Sequence, residues 1–189
     1  MCSFYAHAQQ KMVLLNGNEI PLKSYTVNNE DIVYKKLDAN NDRTKSVEKI
    51  DVFSIVKEDG TEELFYKSDT LTFTVEEVRN YIRGEQTAKQ YYNKPANKWI
   101  AGAFGLGSCV LSFYSLPVPM LYGVVVGRFN PRKMQIPADV KVEGSTTEAF
   151  RFGYNKQARN MKIQQSLKWG YISLGIGLTG VIIYGLANH

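Results

Sequence analysis

Twenty-nine consecutive residues, Trp99 to Gly127, contain no Asp, Glu, Lys or Arg, and twenty more, Trp169 to Asn188, are equally free of charge. An α-helix needs about 20 apolar residues to cross the roughly 30 Å hydrocarbon core of a bilayer. Both runs meet that length. A soluble helix this long would carry a charged stripe on its solvent face. The chain therefore reads as an α+β membrane protein. It has a small N-terminal β-sheet or barrel domain, juxtamembrane helices and two glycine-rich transmembrane helices.

The net charge of +5 is unevenly placed. Gln9 to Lys98 holds 14 Lys/Arg and 15 Asp/Glu, whereas Arg128 to Lys168 holds 9 Lys/Arg against 3 Asp/Glu. Basic residues beside membrane spans are retained on the cytoplasmic side and attract anionic headgroups. Membrane lipid is thus the expected partner of this segment, and nucleic acid is not. Trp99 and Trp169 each open an apolar run, where interfacial aromatics belong, and Arg128 and Lys168 mark the charged borders of the two runs.

Residues 11–68 read as short strands. Met12 to Leu15 leads into Asn16-Gly17, a hairpin dipeptide. Ile20 and Leu22 alternate with Pro21 and Lys23, and Ile32 and Tyr34 with Asp31, Val33 and Lys35. Leu37 to Lys45 is an Asn/Asp-rich loop, Lys49 to Val56 another strand, Asp59-Gly60 a turn, and Leu64 to Tyr66 the last strand. About five strands in so few residues make a small curled sheet or barrel with little core of its own. Thr74 and Glu77 form a capping-box pattern at the start of a juxtamembrane helix over 74–93, with Pro95 ending it.

The first membrane segment, 99–127, is interrupted by Pro117 and Pro119. It is either one kinked, tilted helix or a helix followed by a re-entrant half-helix from Val118 to Gly127. A basic loop and helix over 128–166 precede the second membrane segment, 169–187. Small residues let membrane helices approach closely. Gly102, Gly105, Gly107, Gly123, Gly127, Ser173, Gly177 and Gly180 are the candidate packing positions, within or between chains. Tyr81-Ile82-Arg83-Gly84 with Ala88-Lys89 is weakly echoed by Phe150-Arg151-Phe152-Gly153 with Ala158-Arg159.

No reaction is named by this sequence, and no catalytic, cofactor or metal residues are expected. Gly102 to Ser108 is glycine-rich but lacks the Lys-Ser or Lys-Thr of a phosphate loop. The acid pairs Glu58-Asp59 and Glu62-Glu63 flank a turn, and Glu76-Glu77 sits where a helix dipole favours acids. Tyr91-Tyr92 lies next to the membrane, as an interfacial belt would. Cys2 and Cys109 are too far apart for a disulfide framework, and His7 and His189 lie at the ends. No ionisable residue inside the apolar runs marks an ion path.

Ala6-His7-Ala8 has the form of a signal-peptidase site, so residues 1–10 read as a signal-peptide remnant or as an ordinary short tail. Leu14 to Ile20, Ile32 to Asp38, Ile50 to Ile55 and Asp59-Gly60 resemble a small β module of Bacteroidota envelope proteins. Glu76 to Ala88 and Phe150 to Lys162 resemble stretches of the same uncharacterised membrane-protein family, each preceding a glycine-rich segment. The resemblance implies a bacterial inner-membrane location with the β domain in the periplasm. It carries no catalytic residues. The expected role is a non-enzymatic adaptor or accessory subunit of an envelope assembly that binds a protein partner or itself. The alternative is an oligomeric, membrane-perturbing or pore-forming protein.

Overall fold

The computed structural model describes residues 9–37, 43–68, 73–93, 95–108, 117–129, 134–137 and 140–187. Six strands form one antiparallel sheet: β1 (Lys11–Leu14), β2 (Glu19–Val27), β3 (Asp31–Lys36), β4 (Thr44–Glu48), β5 (Val52–Val56) and β6 (Glu62–Leu64), in the order β4-β3-β2-β1-β5-β6. The turn after β1 contains Asn16-Gly17 as expected. Gly17 adopts φ 69°, a left-handed conformation that favours glycine. Lys49–Asp51, expected to begin a strand, is a single 3-10 turn that leaves Ile50 exposed before β5 starts.

Alternation puts Met12, Leu22, Ile32, Tyr34, Val52 and Ile55 on one buried face. The sheet curls over this face. Tyr25 on β2 donates a hydrogen bond to Glu63 on β6 at 3.4 Å although two strands lie between them. Val13 and Phe53 point the other way, onto Val78 and Ile82 of α1 (Val75–Tyr91). The small sheet thus gains its second layer from the helix that follows it.

Thr74 caps α1 as its sequence predicts. Its side chain accepts from the Glu77 N–H, and Glu77 accepts from the Thr74 N–H at 2.8 Å. α1 stops at Tyr91, ahead of Pro95 as expected, but Pro95 also opens the next helix, α2 (Pro95–Ser108). The first position of a helix has no intrahelical use for an N–H, so proline fits there without loss. α3 (Val118–Gly127) has the boundaries of the half-helix reading of the first apolar run. The basic helix and the second apolar run are not separate elements: α4 is one helix of 40 residues, Glu148–Ala187, about 60 Å long at 1.5 Å per residue.

Among the described residues one helix, α4, is long and apolar enough to cross a membrane. Only 17% of its most apolar window is buried, which separates it from the core helix of a soluble protein. α2 and α3 have 14 and 10 residues, so a second span is not shown by them.

Candidate membrane-facing surface and helix seams

α4 is the axis on which the other helices pack. Its N-terminal half lies beside α1. Asn80 and Arg83, early in α1, meet Gly144 and Glu143 just before α4, and Arg83 pairs with Glu143 at 2.9 Å. Ala88 and Tyr92, at the other end of α1, share a core with Phe150, Tyr154, Ala158 and Met161. The two helices therefore run in the same direction.

Two glycines permit their close approach, and they do so reciprocally. A Cβ on Gly84 would collide with the Phe150 carbonyl oxygen, and one on Gly153 with the Tyr81 carbonyl oxygen. Each glycine abuts the carbonyl three residues before the other. The weak echo in the sequence is thus the seam of a locally two-fold helix pair. The repeat extends further at a constant spacing: Lys98-Trp99 against Lys168-Trp169, and Phe104-Gly105-Leu106-Gly107 against Leu174-Gly175-Ile176-Gly177. That longer match is the signal sequence reasoning missed.

Tyr92, just after α1, shares a core with Ala158 and Met161, while Gly102 and Gly105 of α2 lie farther along α4 at Ser173 and Gly170, so α2 continues alongside α4 in the same direction. A Cβ on Gly102 would come within 3.2 Å of Ser173 Oγ, and one on Gly105 would collide with the Gly170 carbonyl and crowd Ser173 at 3.0 Å. α3 runs back the other way. Pro119 lies on Gly170, Gly123 on Leu167 and Gly127 on Ile163; a Cβ on Gly123 would come within 3.2 Å of Leu167, and one on Gly127 would collide with Ile163. Phe104 of α2 stacks on Tyr122 of α3 with ring centroids 4.9 Å apart.

Gly102, Gly105, Gly123, Gly127 and Ser173 therefore line seams within the chain. Gly107 and Gly180 face open space, as does Gly175, and Gly177 is half-buried. One residue more in α4 than in α1–α2 separates the paired motifs. One residue turns a helix by about 100°, so Gly175 of α4, which matches Gly105, points away from the seam that Gly105 enters.

Trp99 is 81% exposed and Trp169 40%, and Arg128 and Lys168 are exposed beside them. Beyond them Ile172, Ile176, Val181, Ile182 and Ile183 of α4 are exposed, as are Leu121, Val124 and Val125 of α3. Contiguous exposed apolar residues of this kind mark a membrane or protein interaction surface. Two basic residues at its border are engaged with helix ends. Arg159 donates to the Gly127 carbonyl at 2.7 Å, and Lys162 to the Phe129 carbonyl at 2.8 Å. Cations at a helix C-terminus satisfy free carbonyls and complement its dipole.

Sheet and helices are joined by a polar cluster. Glu85, 2% exposed, accepts from the Tyr81 hydroxyl at 2.7 Å and lies 3.4 Å from Lys156 of α4. Lys156 also donates to the Tyr81 hydroxyl. Burial, together with the Glu85 carboxylate, pushes the Tyr81 phenol above its ordinary range against the lowering effect of Lys156. The hydrogen bond with Tyr81 holds the Lys156 ammonium above its own. Gly17 sits against Glu85, with a Cβ there only 3.0 Å from Oε2, and Lys89 donates to the Asn16 carbonyl and to Asn18 Oδ1 at 2.7 Å. Burial lowers the Lys89 ammonium.

A cleft of about 280 Å³ lies between the sheet and α1, and four of its charges form two pairs within it. Lys11 meets Glu19 at 3.0 Å, and Arg79 meets Glu62 at 2.7 Å. Among the described residues no group of three or more His, Cys, Asp or Glu is placed to hold a metal ion. No protein-family model, no curated protein and no solved structure matches the chain.

Proposed function

We propose that this chain is a non-enzymatic adaptor of a bacterial inner-membrane assembly, in which α4 holds a folded polar body against the bilayer. The observation that carries this reading is the continuity of α4. One helix starts in the core around Phe150 and Tyr154 and ends as an exposed apolar rod. A rigid connection of this kind sets the height and orientation of the sheet above the lipid. A flexible tether would not.

The partner-binding element is the edge strand β4. It pairs with β3 on one side only, and four of its five residues are exposed. A free strand edge accepts an extended segment of another protein through backbone hydrogen bonds. The test is affinity purification of the full chain in mild detergent, with wild type compared with Ser46→Pro. Proline removes a backbone donor from the edge. Partner proteins retained by wild type and lost from the variant support the reading. A chain recovered alone from every tagged form sinks it.

A second reading, an oligomeric membrane-perturbing protein, draws on the open glycines Gly175 and Gly180 of α4, which offer a surface for close helix approach between chains. Leakage of a trapped dye from liposomes carrying the purified chain would favour it over the adaptor.

The periplasmic placement of the sheet rests on the family resemblance and on Ala6-His7-Ala8, which lies outside the described residues. A cytoplasmic placement is favoured instead by the packing of both the sheet and the basic half of α4 on α1.

A further inference from the structure

The geometry points to a one-leaflet mode of membrane contact. α2 and α3 enter the bilayer and leave it on the same side, α4 alone crosses, and the sheet and the basic segment Arg128–Lys168 share the cytoplasmic face. This rests on the membrane reading above and adds the side and the depth.

The argument begins with direction. α1 and α4 run parallel past the Gly84–Gly153 contact, and α2 continues α1 past Gly170 and Ser173. α3 returns along the same stretch of α4, from Gly170 at Pro119 to Ile163 at Gly127. The chain is then back beside Arg159 and Lys162, whose side chains hold the end of α3. The first apolar run therefore starts and finishes at one level of α4.

Depth follows from length. Trp99 to Ser108 is ten residues and Val118 to Gly127 is ten, each about 15 Å of helix and about half of the roughly 30 Å hydrocarbon core. Trp169 to Ala187 of α4 is nineteen residues, about 28 Å, enough to cross. Thr179 to Tyr184, past the reach of the described parts of α2 and α3, is exposed throughout. A rod immersed in lipid has that pattern.

Side follows from charge. Arg128 to Lys168 holds 9 Lys/Arg against 3 Asp/Glu, and Arg151, Lys156, Arg159 and Lys162 of this segment lie on the half of α4 that packs on α1 with the sheet. Lys and Arg are retained on the cytoplasmic side, where anionic lipid headgroups attract them. The surface that fits those headgroups is the collar formed by Arg128, Lys168 and the two tryptophans.

The test uses the full chain in bacterial cells with Cys2 and Cys109 replaced by Ser and single cysteines at Ser46, Ser145 or His189. Each variant is labelled with a membrane-impermeant maleimide before and after permeabilisation. The expected result is protection of Ser46→Cys and Ser145→Cys in intact cells and labelling of His189→Cys. Opposite behaviour of positions 46 and 145 would overturn the one-leaflet hairpin. Equal behaviour of all three in a membrane-retained chain would overturn the crossing by α4. Labelling of 46 and 145 with protection of 189 would overturn the cytoplasmic side. Release of the chain from membranes by alkaline carbonate is the separate result that removes the membrane reading itself.

Discussion

Two glycines decide whether α1 and α4 can meet. A methyl group on Gly84 has nowhere to go, because the Phe150 carbonyl carbon and the Tyr154 nitrogen lie 3.0 and 2.9 Å from where it would sit. Backbone cannot rotate aside as a side chain can. Forced overpacking typically costs about 1–3 kcal/mol, and Gly84→Ala and Gly153→Ala should each lose that much in denaturant unfolding in mild detergent. Gly175→Ala is the control. Its Cβ meets open space, and alanine is the better helix former, so stability should hold or rise. Equal losses at all three positions would show that the seam is not where α1 and α4 touch. A second residue-scale test concerns Glu85, whose Oε2 has no hydrogen-bond partner among the described residues. Lys156 is half-exposed, so solvent screens part of its attraction. Contacting residues couple by about 0.5–3 kcal/mol. Lys156→Met should therefore destabilise wild type by about 1 kcal/mol more than it destabilises Glu85→Gln, as measured by a double-mutant cycle.

Among the elements, α1 carries the most weight, since it covers the sheet with one face and α4 with another. Its capping box is a specific handle. Thr74→Ala should cost about 1 kcal/mol. The Thr74 N–H and hydroxyl hold the Glu77 carboxylate below its ordinary value of 4.5. A carboxylate depressed in the folded state stabilises above its unfolded value and stops doing so as pH falls through its folded value. The melting-temperature difference between wild type and Glu77→Gln should accordingly be present at pH 7 and close below 4.5. A difference that persists at pH 3 would mean that Glu77 acts by packing and not by its charge. This cap was legible in the sequence, and so were the Gly17 turn and the inward faces of β2 and β3, because each is a local pattern of two to seven residues. Pro95 was read only in part, for a local reason as well: proline both stops and starts helices, and only the tertiary position of Ala101 and Gly105 against α4 shows the second role. The seam glycines Gly84 and Gly153 showed in the sequence only as a weak echo. Their contact joins residues far apart in the chain, and a one-residue insertion in α4 breaks the register of the repeat. Gly107 and Gly180 look like packing glycines by type and spacing, yet a helix shows its inward face only once its neighbours are placed.

At the scale of the molecule, a polar body and an apolar rod share one helix, and they should be separable. The residues of Thr179 to Leu186 whose surroundings are described are exposed, and none of them belongs to the cores that join the sheet, α1 and the N-terminal half of α4. The cores that do so are centred on Met12 and Ile55, on Val13 and Ile82, and on Phe150 and Tyr154. A chain ended after Leu178 should therefore unfold with the same denaturant midpoint in detergent as the full chain, since removal of exposed residues leaves buried area unchanged. Its membrane retention should fall sharply, because the remaining apolar part of α4, Trp169 to Leu178, covers only about half of the hydrocarbon core. The hairpin of α2 and α3 would still offer Leu121, Val124 and Val125 to one leaflet, so partial, salt-sensitive binding to vesicles containing anionic lipid is expected in place of full release. The measurement is flotation of both forms with such vesicles at low and high salt. Salt screens headgroup attraction at distances beyond about 10 Å and leaves a spanning helix unaffected. The full chain should float at either salt concentration, and the shortened chain at low salt only. Salt-resistant flotation of the shortened chain would mean that α2 and α3 anchor the protein by themselves and that α4 is not its main hold on the bilayer.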